Sequence, residues 1–412
     1  MESPCDTSYD KGVNHEGSPK THGIKKILYV LPSYVKASLE KGEDGYKGTE
    51  RSAVYTLSEF ARRGIETHLI APKGSNIQGV ELHESCDTPH WDFSDPKNPI
   101  TAPADKQEEV LDKTIQMMKQ LVKELKPDVV DCHIAHKENM DQALWHLPVP
   151  SVVNFHGPTK GMEDLRKTAL KTPRLPVITV SELQQKCLPG PNYVGVVPNG
   201  MPKDVIPFQK TVRKVKQLVM LGRLSPKKDF PRGIAIAKRA GMHLVIGGTL
   251  LNDQRDQDYF KTVLDPLLKK EADHVTLRED VVESNKAEFL AGSEALLALT
   301  KRSADEWGPE YIEADGMHIT EALAAGVPVI CDSGVDPSKV PDGVVGFYCN
   351  NDEEIYEALK KINTISGDNC RRHYLDNYTV DKAVDKRLEI YVTLKRDFQS
   401  THDEPHVPES YN

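Results

Sequence analysis

Short apolar runs separated by amphipathic helical segments recur along this chain, and the whole pattern occurs twice, which restricts the fold to parallel sheets packed between helices. The first unit opens with KKILYVL from Lys25, passes through a long loop bearing glycine and lysine, and enters TERSAVYTLSEFARRG, where Ala53, Val54, Leu57, Phe60 and Ala61 recur at helical spacing. Gly64 closes that helix and THLIAP follows as the next strand, so 25–72 reads as one βαβ unit with a long first loop. Loops at strand C-termini are where open parallel sheets take ligands. Further strands are predicted at 128–132 (DVVDC), 152–155, 177–180 and 194–197, with a helix over 108–126.

After the Pro-bearing stretch PNGMPKDVIPFQK the alternation starts again. QLVMLG, HLVIGG, VTLRE, EALLALT and VPVIC read as strands, and 233–240, 259–270, 319–325 and 353–362 as helices. The expected organisation is a disordered tail over 1–24, an N-terminal Rossmann-like domain over 25–205, and a second over 206–379. A last periodic segment, TVDKAVDKRLEIYVTLKRDF, gives a helix over 380–399 that returns to the first domain, before a frayed tail at 400–412. A length of 412 residues suits two such domains better than one core.

Composition narrows the function. The formal net charge of -9 argues against non-specific attraction to nucleic acid or anionic lipid, and RKVK at 213–216 and SPKKD at 225–229 are only local basic patches. No run approaches the eighteen or so apolar residues of a membrane span, and the start lacks the apolar stretch of a secretory signal, so a cytoplasmic protein is expected. Seven cysteines, odd in number and without a C-x-x-C pair, fit reduced thiols. His133 and His136 have no third ligand at a usual spacing, and no metal is expected.

The segment EADGMHITEALAAGVPVI, 313–330, sets Glu313 and Glu321 eight residues apart with Gly316 between them, ahead of a short helix that ends at Gly326. A carboxylate offers two acceptor oxygens to a vicinal diol, in charge-assisted bonds of about 1.5–3 kcal/mol each. A solvated helix could also carry such a pair. With Gly316, Gly326 and Pro328 in register, however, the stretch resembles the E-x7-E signature of the retaining GT-B-fold glycosyltransferases, in particular the GT4 family.

That resemblance implies an α/β fold of two Rossmann-like domains facing across a cleft, and a metal-independent, retaining transfer of a hexose from a nucleotide diphosphate sugar to a hydroxyl acceptor. Glu313 would hold hydroxyls of the donor sugar and Glu321 those of the ribose, with Gly316, Met317 and His318 lining the donor site. GRLSPKK at 222–228 is similar to the family's G-R-L-x-x-x-K, so Arg223 and Lys228 would clamp the diphosphate, the work a metal does in other transferases. Gly48 and Thr49 resemble the glycine-bearing helix start that approaches donor phosphate, although Lys47 stands where the family usually has a first glycine; Glu50 is a secondary candidate. His156, in VVNFHGP, looks like the family's histidine beside the reacting sugar, with His133 a weaker candidate, and Gly248 falls at a glycine turn beside the nucleotide. VVPNGM at 196–201 resembles the segment entering the second domain.

UDP-sugars, UDP-glucose first, are the donors the resemblance favours; no separate cofactor is implied, and a homo-oligomer is compatible with the sequence. Two readings compete: a GT-B-fold epimerase or phosphorylase, and a silent nucleotide-sugar-binding protein. The intact Glu pair argues against the epimerase, and the retained Arg223, Lys228, Glu313 and Glu321 argue against the silent protein. A dehydrogenase is poorer, since no G-x-G-x-x-G follows the first strand. The acceptor should meet loops around 32–46 and 91–97, which do not spell a substrate, and the acidic stretch 303–316 reads as a lid or acceptor-selecting loop.

Overall fold

A computed structural model describes residues 21–38, 48–92, 100–135, 137–157, 167–168, 170–210, 216–251 and 253–403. In chain order the strands are β1 (Lys26–Val30), β2 (Glu66–Ala71), β3 (Glu81–Glu84), β4 (Trp91–Asp92), β5 (Ile100–Thr101), β6 (Val129–Cys132), β7 (Ser151–Phe155), β8 (Pro176–Thr179), β9 (Asn192–Val196), β10 (Gln217–Leu221), β11 (His243–Gly247), β12 (Val275–Arg278), β13 (Ala295–Ala298), β14 (Val329–Asp332) and β15 (Gly346–Cys349). Seven form one sheet in the order β3-β2-β1-β6-β7-β8-β9, and six form a second in the order β12-β11-β10-β13-β14-β15. All pairings within these two sheets are parallel. A parallel sheet is covered on both faces, which is why KILYV, VVDC, QLVML, ALLA and VICD read as unbroken apolar runs and are buried almost throughout.

In each sheet the first strand lies inside and the order reverses beside it, at β1/β6 and at β10/β13. Those reversals open a crevice at the strand C-termini. The loop after β1 leads to the first helix, Gly48–Arg62, and the loop after β10 carries Gly222 to Lys228.

The last helix, Val380–Asp403, packs against the first domain. Val384, Leu388 and Tyr391 are buried, Tyr391 packs on Phe60, and Arg63 bonds Asp385 at 2.5 Å. Its start is clamped to the connecting segment: Met201 donates to the Tyr378 carbonyl at 3.0 Å, Val380 donates to that of Met201 at 2.9 Å, and a Cβ at Gly200 would lie 2.6 Å from the Val380 Cα.

Several expectations are adjusted. The last helix extends to Asp403, into the segment expected to fray, and Ile24, placed in the tail, is 1% exposed in the core. β3 (ELHE) had no apolar signal because it is an edge strand with its side chains largely in water. Helices Glu138–Trp145, Glu283–Ala291 and Gly367–Asn377 were also missed; they are short and polar on more than one face. Cys86, Cys132, Cys187, Cys331, Cys349 and Cys370 are free thiols, and Cys5 lies outside the described residues. Among the described residues no helix is long and apolar enough to cross a membrane.

Candidate active site

The site grows from the start of helix Met317–Ala325. Gly316 caps it with φ +74°, and a Cβ there would lie 3.0 Å from the Cγ of Glu313 and from the Cδ1 of Ile319. A side chain is therefore opposed both by backbone conformation and by space. Gly316→Ala should lower unfolding stability by about 1–3 kcal/mol in a denaturant titration; a stability equal to wild type would contradict the cap geometry. The helix turns nearly every side chain inward, so Glu321 is a carboxylate, 2% exposed, inside a largely apolar segment. Such a group needs partners.

Its partners come from both halves of the chain. Arg51 Nη2 on the first helix donates to Glu321 Oε1 at 2.6 Å, and Lys286 Nζ donates to the same oxygen at 2.9 Å. Glu283 completes the set, bonded to Arg51 at 3.0 Å and to Lys286 at 2.8 Å. Burial pushes the Glu321 carboxyl up, but Lys286 and Arg51 overcome it and hold the group at about 2. Lys228 is bonded to Glu313, and although burial opposes it, Lys228 and then His318 hold Glu313 at about 2 as well. His318 is itself pushed down to about 3, by burial first and Lys228 second, so its imidazole is neutral at physiological pH. Behind the Gly316 turn, Lys339 bonds the buried Asp315 at 2.8 Å.

Arg223 lies on the loop after β10 and is bonded to the fully buried Asp256, with Asp253 at 3.5 Å. Lys227 is beside it, its pKa lowered by burial and then by Arg223 and Arg255. Across the crevice, His133 Nδ1 and His156 Nε2 are 2.6 Å apart, and His133 stacks on Tyr29 and on His156. Burial lowers the pKa of both, that of His156 further through its His133 neighbour, so they are neutral near pH 7. Beneath them Asp131 receives hydrogen bonds from Arg387 at 2.7 Å, from Tyr391 and from Asn154. The last helix therefore supports the histidine shelf.

The residues singled out in the sequence thus fall into groups. Glu313, Gly316, Met317, His318, Glu321 and Lys228 converge on one helix start, and a Cβ at Gly48 would lie 3.4 Å from the Met317 Sδ, which places the start of the first helix against them. Thr49 is half-buried beside Gly48, and Glu50 is buried in the same turn. Gly248 has a structural reason: a Cβ there would lie 2.4 Å from the Gly222 carbonyl oxygen, where β10 and β11 end together. Lys47 and His136 lie outside the described residues. In the stretch 303–316, Trp307 stands edge-on to Tyr259 and Lys227 lies over Tyr311. Sequence reasoning passed over Arg51, Glu283, Lys286, Asp131, Arg387 and Tyr391, each of which finds its partner on a distant element.

The family model "Glycosyl transferases group 1" matches residues 203–381, and "Glycosyltransferase Family 4" matches residues 46–204. The chain belongs to the GT4-type glycosyltransferases of the GT-B fold. Solved structures share that fold with this glycosyltransferase. A glycosyltransferase of avilamycin A biosynthesis is 18% identical, with a TM-score of 0.61 over 90% of this chain and 98% of that one. The sucrose-phosphate synthase of Thermosynechococcus elongatus is 13% identical, TM-score 0.66, over 90% and 100%. Anabaena HepE in complex with UDP and glucose is 14% identical, TM-score 0.62, over 90% and 100%. Among curated proteins none matches the sequence of this GT4-type enzyme.

Proposed function

We propose that the enzyme is a retaining, metal-independent hexosyltransferase using a nucleoside-diphosphate sugar, UDP-glucose first, and a hydroxyl acceptor. The observation that carries this is the pairing of Lys228 with Glu313 just ahead of helix Met317–Ala325, with Glu321 buried in that same helix and held by Arg51 and Lys286. A helix N-terminus favours an anion. In the proposed complex the diphosphate lies there, Lys228 and Arg223 neutralise the charge that builds on it as the glycosidic bond breaks, Glu313 holds donor-sugar hydroxyls, and Glu321 receives the ribose diol. His156, neutral, bonds a sugar hydroxyl and orients the ring. The departing phosphate oxygen takes the acceptor proton on the same face, so configuration is kept and no protein carboxylate acts as nucleophile. HepE, solved in complex with UDP and glucose and in complex with UDP-glucose, supports a uridine donor by likeness of fold.

Thermal shift in EDTA with UDP, GDP, ADP and their sugars tests the donor. Ligand at a hundredfold its Kd contributes about 2.7 kcal/mol, a rise of several degrees. The uridine compounds should give that rise in wild type and lose it in Lys228→Ala, whereas no response to any nucleotide would overturn the donor reading.

A further inference from the structure

The outer edge of the first sheet carries a cluster of metal-ligating side chains that the transfer chemistry does not use. β2 and β3 run parallel, with His68 opposite Glu81 and Ile70 opposite His83. Strand alternation therefore puts His68, Glu81 and His83 on one face. There His68 Nδ1 and His83 Nε2 stand 3.1 Å apart, and the Glu81 carboxylate lies 3.5 Å from the first and 4.0 Å from the second. All three ligand atoms fall within 4.8 Å of one another. Two imidazole nitrogens on a tetrahedral zinc-like ion, each about 2.0–2.1 Å from it, are separated by about 3.3 Å, close to the spacing found.

A second feature orients the set. His68 Nε2 is 3.0 Å from Glu66 Oε1, and Glu66 is in turn held by Lys26 at 2.8 Å. A carboxylate only accepts, so it takes the Nε2–H of His68 and leaves the Nδ1 lone pair facing His83 and Glu81. Metal-bound histidines are oriented by an outer carboxylate in this way.

We propose that His68, Glu81 and His83 bind one divalent transition-metal ion of the zinc type, with water completing its shell. Two imidazoles and a carboxylate suit an ion of borderline softness. Glu81 and His83 lie on the edge strand and His68 on its buried neighbour, so the ion would tie the two strands together. The site is built from the bodies of the strands, apart from the cleft, and its presence does not depend on the donor reading. The competing arrangement is a hydrogen bond from His83 Nε2–H to His68 Nδ1, with no ion.

Full-length protein, stripped with chelator and titrated with Co2+ and then Zn2+, distinguishes the two. The expected result is one cobalt per chain, with visible d–d absorption, no thiolate-to-cobalt charge-transfer band, and displacement by zinc. His83→Ala, on the partly exposed edge strand, should lose the band and weaken zinc binding more than about 100-fold, and Glu66→Gln should weaken it about tenfold through the outer shell. The nucleotide-induced thermal shift should be the same in both variants as in wild type. No stoichiometric cobalt uptake, a thiolate band, or zinc affinity unchanged in His83→Ala would overturn the site.

Discussion

Replacing Glu321 by alanine is expected to abolish donor binding and to destabilise the cleft at the same time. In the proposed complex the carboxylate receives two ribose hydroxyls in charge-assisted bonds of about 1.5–3 kcal/mol each, so donor affinity should fall at least ~100-fold. The same change strips Arg51 and Lys286 of the carboxylate they share, leaving buried cations short of a partner. Breaking a buried ion pair from one side costs about 3–5 kcal/mol. Glu321→Gln keeps the shape and an acceptor oxygen, so it should fold and show weakened donor binding by calorimetry; donor affinity equal to wild type in that variant would remove Glu321 from the site.

The acid dependence follows from the same pairing. With Glu321 and Glu313 held at about 2 against an ordinary 4.5, their ionised forms favour the folded state. That contribution is complete above about pH 4.5 and is lost as the pH falls toward 2. For a carboxylate as buried as Glu321 it amounts to about 3 kcal/mol.

Arg387→Met should be among the most destabilising single changes, although Arg387 touches neither predicted catalytic group. It removes the guanidinium from Asp131, which is fully buried and held ionised, against the cost of burial, chiefly by Arg387 and then His133. The expected loss is about 3–5 kcal/mol in chemical denaturation. Asp131→Asn combined with Arg387→Met should recover a large part of it, because the uncompensated charge is gone; additivity of the two changes would show that the pair is not coupled. Since Asn154 and Tyr391 also bond Asp131, the single variant should loosen the last helix and disturb the His133–His156 shelf, visible as faster amide exchange over 380–391.

These two residues also show what the sequence carries and what it does not. Glu321 was legible because its context is local: a glutamate pair, a glycine at positive φ, a small-residue helix and a strand follow one another within eighteen residues, 313–330. The apolar strand runs were legible for a similar reason, since burial on both faces writes itself into consecutive residues. Arg387 and Lys286 gave no such signal. Each stands in a helix rich in charge, where a buried cation reads as one more member of a solvated face, and the carboxylate that explains it lies 256 residues away for Arg387 and 35 for Lys286. β3 was invisible because an exposed edge strand has no apolar run to announce it. Gly248 shows the converse: a glycine matched to a ligand position is required by the approach of two strand ends.

The most direct test of metal-free transfer with retained configuration is to follow slow hydrolysis of UDP-glucose by proton NMR, in EDTA, before the released glucose can mutarotate. The account predicts that α-glucose forms first, at a rate indifferent to EDTA, and that Lys228→Ala loses the reaction. β-Glucose as the first product, or a rate restored only by added divalent metal, would contradict it.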